Sequence, residues 1–340
     1  GFIIPNTWLT ISSLEKLRRF LLTNTKDLHI VNIFDKVFQD ANVDTCLLLY
    51  AKGKPSNVTL GEFNNRQLEI SGNFKPSKFI TTNSVINISI SKNQNKMELI
   101  NKINSQSKPL KQFATVSTGL KAYQIGKGSP KQNETIKKTR SFHSQKKLDK
   151  TYIKYLEGKD VCRYYLGWSG EYLSYGDWLA EPRKSVPFNQ ERILVRQIPA
   201  KPPYSIHSIF TDQEYLNDIN SMVIFNFLIN PLYLLTILNS KLITFWFINS
   251  FDKLQRGLFP QFKVKELQSF PIKIGSDVDI KKLTDYCKSI ISLHANSNNL
   301  KYDETVSIKI ESINREIDFL IYKIYNLSPE EITIIDQFCK

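Results

Sequence analysis

Cysteine and histidine are scarce and scattered in this 340-residue sequence, four of each, at Cys46, Cys162, Cys287 and Cys339 and at His29, His143, His207 and His294. No Cys-x-x-Cys pair and no zinc spacing occurs, which excludes a disulfide framework and predicts a reduced, metal-free cytoplasmic protein. Long apolar runs are lacking too. The most apolar stretch, 222–251, is interrupted by Asn226, Asn230, Pro231, Asn239 and Lys241, short of the roughly 20 clean apolar residues of a bilayer span, and no signal peptide precedes it, so no membrane partner is expected. Acids are in deficit, 32 Asp and Glu against 46 Lys and Arg, for a net charge of +14 and a pI near 9.4. That balance favours a polyanionic partner, nucleic acid ahead of a membrane surface. An initiator methionine is also missing. Gly1 leads straight into Phe2-Ile3-Ile4-Pro5, an apolar run that reads as a strand already under way, so the sequence is expected to be a fragment of a longer one.

What is present suits a folded α/β protein: 41% hydrophobic and 12% aromatic residues over a length that accommodates two or three units. Residues 1–52 read as strand, helix, strand, strand. Ser12 with Glu15 forms a capping box, and the helix is expected to bury Leu14, Leu17, Phe20 and Leu21 with Arg18 and Arg19 outside. Leu28–Phe34 reads as a strand, and Thr45–Ala51 as one covered on both sides. Residues 53–107 are polar, with short candidate strands such as Val85–Ile90 and a helix near Lys96–Ile103. A β-rich stretch at 150–215 holds strands at Glu171–Tyr175 and Arg192–Ile198. Asn230-Pro231 opens a helix that keeps its spacing from Leu234 to Asn249. Helices follow at Asp279–Leu293 and along Val306, Ile310, Ile313, Ile317, Leu320 and Ile324, a stripe that reads either as core or as a partner-helix interface. Ser328-Pro329-Glu330-Glu331 caps a last short helix. The expected division is 1–107, 108–275 and 276–340.

Charge is concentrated rather than spread. Lys108 to Arg163 holds fourteen Lys or Arg and four acids, ten of the fourteen net positive charges. Tyr123, Phe142, Tyr152, Tyr155, Tyr164 and Tyr165 are interleaved with them. Basic side chains track phosphates while aromatics and loops reach bases, so the pattern suits nucleic-acid binding; at 127–150 a solvated lysine-rich loop is the other reading. The expected duplex-DNA contacts are Lys121, Tyr123, Lys127, Arg163, Arg196, Lys201, Gln255 and Arg256. Each is open between a base contact, a phosphate contact and an ordinary surface charge. Asp149 and Glu157 flank a glycine turn, but no metal-dependent nuclease site is expected there.

Four segments near the start resemble the end of the catalytic domain of gamma-class N6-adenine DNA methyltransferases: Phe2-Ile3-Ile4-Pro5-Asn6-Thr7-Trp8-Leu9, Lys16-Leu17-Arg18-Arg19-Phe20-Leu21, Asp35-Lys36-Val37-Phe38 and Val43-Asp44-Thr45-Cys46-Leu47-Leu48. The remainder resembles the TaqI-like target-recognition region of single-chain, type IIG restriction-modification enzymes at Ala114–Gly119, Tyr155–Tyr164, Leu235–Leu242, Ile317–Tyr322 and Tyr325–Ser328, whereas 53–107 and 127–150 match nothing in it. The resemblance implies the tail of a class I methyltransferase sheet, an α/β recognition domain and C-terminal helices. It also implies a bacterial parent that moves a methyl group from S-adenosylmethionine to adenine N6 on duplex DNA. No glycine-containing donor loop and no Asn/Asp-Pro-Pro-Tyr motif is present. The one Pro-Pro-Tyr, Pro202–Tyr204, follows Lys201, which has no acceptor for an adenine amino group. This chain alone is therefore expected neither to bind S-adenosylmethionine nor to methylate, and any nuclease would lie upstream, with contacts to those missing portions. By resemblance Trp8 stacks on a flipped target base; otherwise it closes the sheet edge. Two other readings remain: a non-enzymatic specificity module docking on a separate methyltransferase subunit, and a general polyanion binder.

Overall fold

Alternation along two neighbouring strands, Leu28 and Ile30 on one and Cys46 and Leu48 on the other, sends four buried side chains to one face of a sheet. The computed structural model describes residues 1–38, 43–80, 85–88, 93–251, 261–296 and 304–340. In it β1 (Phe2–Pro5), β2 (Thr25–Ile33), β3 (Thr45–Lys52), β4 (Val58–Asn64) and β5 (Gln67–Phe74) stand in the order β1-β3-β2-β4-β5. Only β2 and β4 run parallel. Helix α1 (Glu15–Asn24) links β1 to β2, and its Leu21 and Leu22 join Trp8, Leu9, Val58, Leu60 and Phe79 in one core.

Several expectations for this region need correction. A 3-10 turn at Ser12–Leu14 precedes α1, which starts at Glu15 with Leu14 at the cap, so the helix begins later than the capping box predicts. The helix is also rotated: Leu14, Leu17 and Phe20 are exposed, while Arg18 is fully buried. Its Nη1 donates to the carbonyls of Trp8 (2.6 Å) and Ile11 (2.7 Å), satisfying chain turns that no helix continues; burial lowers the guanidinium's pKa. Strand β3 is not covered on both sides along its length: Thr45 to Leu48 are buried or half-buried, whereas Leu49 and Tyr50, on opposite faces, are exposed. Residues 85–87 form no strand. The β4–β5 hairpin was not anticipated; its turn needs Asn65 and Arg66 both left-handed (φ 49° and 61°), held by the Asp35 carboxylate accepting both amides at 3.0 Å.

Residues 1–102 with 248–258 make up one compact unit, and 103–247 with 259–340 the other. Helix α2 (Gln94–Ser105) precedes the strands of the second unit: β6 (Thr115–Thr118), β7 (His143–Ser144), β8 (Tyr152–Leu156), β9 (Tyr172–Ser174), β10 (Arg192–Arg196), β11 (Ser208–Thr211), β12 (Leu216–Asn217) and β13 (Ser221–Phe225). They form two sheets, β12-β8-β9-β7 and the wholly antiparallel β11-β10-β13-β6. Leu156, Leu173, Leu194, Ile209, Leu216 and Val223 form the core these two sheets share. Ile193, Val195, Met222 and Ile224 alternate to the opposite face and are buried as well. The short α3 (Glu134–Thr139) lies between β6 and β7. Helix α4 (Pro231–Leu238), capped by Asn230, packs on β10 and β11.

The continuous helix expected from Leu234 to Asn249 is broken after Leu238: α5 (Lys241–Ser250) departs at 60°. Ser240 Oγ accepts from the amide of Ile243 (3.2 Å), a new N-cap that starts the second helix. Among the described residues no single helix is long and apolar enough to cross a membrane. Helices α6 (Val264–Leu267), α7 (Asp277–Asn296), α8 (Glu304–Ile324) and α9 (Pro329–Phe338) complete the second unit, with α7 packed on α4 and α8 on α7. The α8 stripe is buried at Ile317, Leu320 and Ile324 and half-buried at Val306, Ile310 and Ile313. Ser328 and Glu331 form the expected capping box on α9.

Candidate nucleic-acid interface

Between β6 and β8 the chain carries seven lysines and Arg140 on residues 127–150 against two acids, Glu134 and Asp149. All eight cations are exposed. The segment is nonetheless well fixed at its root. Buried Gln132 donates to the carbonyls of Ala122 (2.8 Å) and Trp178 (2.7 Å) and accepts from the amide of Gln124 (2.9 Å). Asn133 caps α3 by accepting from the amide of Ile136, and Arg140 ends the helix in the left-handed region (φ 49°). The Phe142 ring stacks on Tyr123 at 5.4 Å, and the Tyr123 hydroxyl accepts from the Phe142 amide (2.9 Å) and meets His143 Nδ1 (2.7 Å). Burial pushes the pKa of that hydroxyl up to about 12. Arg140 bridges Glu171 (2.8 Å) and Glu157 (3.4 Å). Among the described residues no acid lies within 4 Å of any of the seven lysines. The outcome is a rigid root with a solvated positive surface on it.

Lys121, Tyr123 and Lys127 come together at that root. Lys121 Nζ donates to Gln124 Oε1 (2.7 Å), its backbone pairs with Glu181, and Lys127 is exposed. Arg196 is half-buried at the end of β10, with its amide bonded to the His207 carbonyl (3.0 Å), and Lys201 is exposed beside Pro202. Gln255 and Arg256 lie outside the described residues. Trp8, in the first unit, is only 3% exposed, and its Nε1 donates to Cys46 Sγ at 3.2 Å, so the indole serves as a core side chain closing the sheet over α1. Asp149 is tied to Thr151 and Glu157 to Lys159 and Arg140. Among the described residues no three His, Cys, Asp or Glu side chains converge as a metal site.

Arg163 is engaged inside the fold. Its Nε and Nη2 donate to the Asn239 carbonyl (3.1 and 2.9 Å), Nη2 also donates to Asn314 Oδ1 (2.9 Å), and the guanidinium lies 3.7 Å from the centre of the Tyr204 ring. The Tyr204 hydroxyl donates to Asp318 on α8 (2.8 Å), whose other oxygen accepts from the Lys241 amide (3.0 Å) at the start of α5. Burial raises the Asp318 pKa. Asn239 in turn accepts from the amide and hydroxyl of Ser208 and donates to its carbonyl. The Leu-Asn-Ser and Ile-Asp-x-Leu-x-Tyr segments thus meet in one buried polar joint. Pro-Pro-Tyr belongs to it, the Tyr204 ring lying against Arg163 and its hydroxyl bonded to Asp318. Sequence reasoning missed Gln132, Asn314 and Asp318, because their partners lie from eight to over a hundred residues away and no spacing flags them.

Two half-buried histidines are expected to make folding pH-dependent. His143 is lowered to about 4 by burial and then by Arg140, against Glu157; His207 is lowered to about 4 by burial, then by Arg196 and Arg163. The unfolded chain takes up these protons near pH 6.5 and the folded one only near pH 4, so unfolding free energy falls as pH drops through that window. By pH 5 the loss is expected to be about 1 kcal/mol or more per histidine. Urea midpoints at pH 7.5 and 5 are expected to fall more for the wild type than for His143→Gln/His207→Gln; an equal fall would contradict the assignment.

Residues 153–272 match the TaqI-like C-terminal specificity domain family. Over 351 aligned positions the chain is 26% identical to a protein of Methanocaldococcus jannaschii named "Putative type II restriction enzyme and methyltransferase RM.MjaORFECS2P", covering 97% of this chain. The chain spans about a quarter (27%) of that relative's length. The structure of the type IIL restriction-modification enzyme MmeI in complex with DNA superposes with a TM-score of 0.52 at 12% identity, over 99% of this chain and 49% of that one. The type IIG restriction endonuclease BpuSI aligns over 97% of this chain and 47% of its own, with a TM-score of 0.39 and 12% identity. The mixed α/β fold with C-terminal helices thus resembles part of the type IIL enzyme MmeI.

Proposed function

We propose that this chain is the target-recognition portion of a site-specific DNA methyltransferase of a restriction-modification system, reading duplex DNA so that the whole polypeptide methylates adenine N6 with S-adenosylmethionine as donor. One observation carries the reading: residues 153–272, which match the specificity domain family, share a compact unit with the exposed, acid-free lysines of 127–150. A surface of that charge fits a phosphate backbone. Adenine as the target base and S-adenosylmethionine as donor rest on the resemblance of residues 1–52, and their chemistry belongs to residues this chain does not contain. A cytoplasmic location is part of the same proposal, supported by the specificity-domain match.

The test is a titration of the chain with labelled duplex DNA, single-stranded DNA and heparin over a range of salt. Duplex DNA is expected to bind best, with affinity falling steeply as salt rises. Equal affinity for all three would identify a general polyanion binder instead. Labelled methyl groups entering DNA with this chain alone would overturn the division of labour.

A further inference from the structure

Building on that reading, we propose that residues 127–150 form an arm that grips the phosphates of duplex DNA and adds affinity without choosing the sequence. The arm lies just before residues 153–272, the stretch that matches the specificity family, and in the same compact unit. Its free cations are all lysines, whose ammonium is a point charge suited to phosphate, whereas paired bonds to guanine call for an arginine fork. Arg140, the one arginine, is paired with Glu171 and Glu157. Of the arm's three amide side chains, Gln132 and Asn133 hold its own fold, leaving Gln145. The root bonds at Gln132, Tyr123 and Arg140 fix the arm before DNA arrives, so little ordering has to accompany binding.

The experiment uses the full chain with Lys131, Lys137, Lys138, Lys146 and Lys147 all changed to glutamine, and a second variant with the same five changed to arginine. Affinity is read by fluorescence anisotropy on a duplex enriched from a random pool by the wild type and on a scrambled duplex of equal length. The glutamine variant is expected to bind both about tenfold or more weakly, with the slope of log affinity against log salt flattened by about 0.9 per lost contact and the ratio between the two duplexes held within about twofold. The arginine variant is expected to keep wild-type affinity. Unchanged affinity and slope in the glutamine variant would overturn the arm while leaving recognition intact. A collapse of the ratio alone would show that the arm reads bases. Failure of the wild type to prefer duplex DNA would instead overturn the recognition reading itself.

Discussion

Replacing Arg163 with alanine is expected to destabilise the second unit by about 3 kcal/mol, the sum expected for charge-assisted hydrogen bonds and a cation–π stack lost together. The guanidinium ties the turn before the Tyr165–Leu166 strand to Asn239, to Asn314 on α8 and to the face of Tyr204. Its loss leaves the Asn239 carbonyl and the Asn314 amide without their donor and uncovers the ring that orients its hydroxyl on Asp318. Lysine preserves the charge but supplies neither the fork nor the flat stack, so Arg163→Lys is expected to be nearly as damaging. An arginine on the DNA backbone behaves in the opposite way: folding is indifferent to it and lysine restores binding. Urea unfolding of both variants separates the two. Wild-type midpoints, with DNA affinity lost in the alanine variant and regained in the lysine variant, would return Arg163 to the interface.

Trp8→Ala is expected to cost the first unit about 3–5 kcal/mol, the range for removing a large aromatic from a packed core. The indole is buried with Leu21, Leu22, Leu28 and Leu48, and its nitrogen donates to Cys46 Sγ. Hydrogen exchange at the amides of Leu28, Ile30 and Leu48 is the readout, since these strand positions sit in the same core and report its opening. DNA affinity, assigned to the second unit, is expected to stay near wild type. Unaltered exchange would show that the ring is not holding the core and would reopen a stacking role.

The sequence disclosed the periodic and composition-driven parts of this molecule and hid those that depend on distant partners. The Asn230-Pro231 and Ser328–Glu331 caps and the β10 strand were legible because cap chemistry and apolar runs are local. The helix α1 face was misread because an arginine counts as polar in any pattern, yet Arg18 is drawn inward by two carbonyls of a neighbouring turn. The break between α4 and α5 was invisible for a similar reason: apolar spacing continues across it, and the interruption comes from Asn239 bonding Ser208 and from Asp318 meeting the α5 amide. The β4–β5 hairpin was lost among polar residues because its turn, Asn65-Arg66, takes two left-handed positions without a glycine to mark them, although Leu68 and Ile70 alternate along the outer strand. At the interface, the concentration of lysines was countable from the sequence. Which cations the fold engages was not: Arg163, an expected DNA contact, is bonded to Asn239 and Asn314.

The central claim, that this chain chooses duplex sequences, is tested most directly by incubating it with a pool of random duplexes and sequencing the fraction retained at moderate salt. Enrichment of one short defined site, absent when the pool is single-stranded, is the predicted result. Retention of duplex without any enriched site would contradict it.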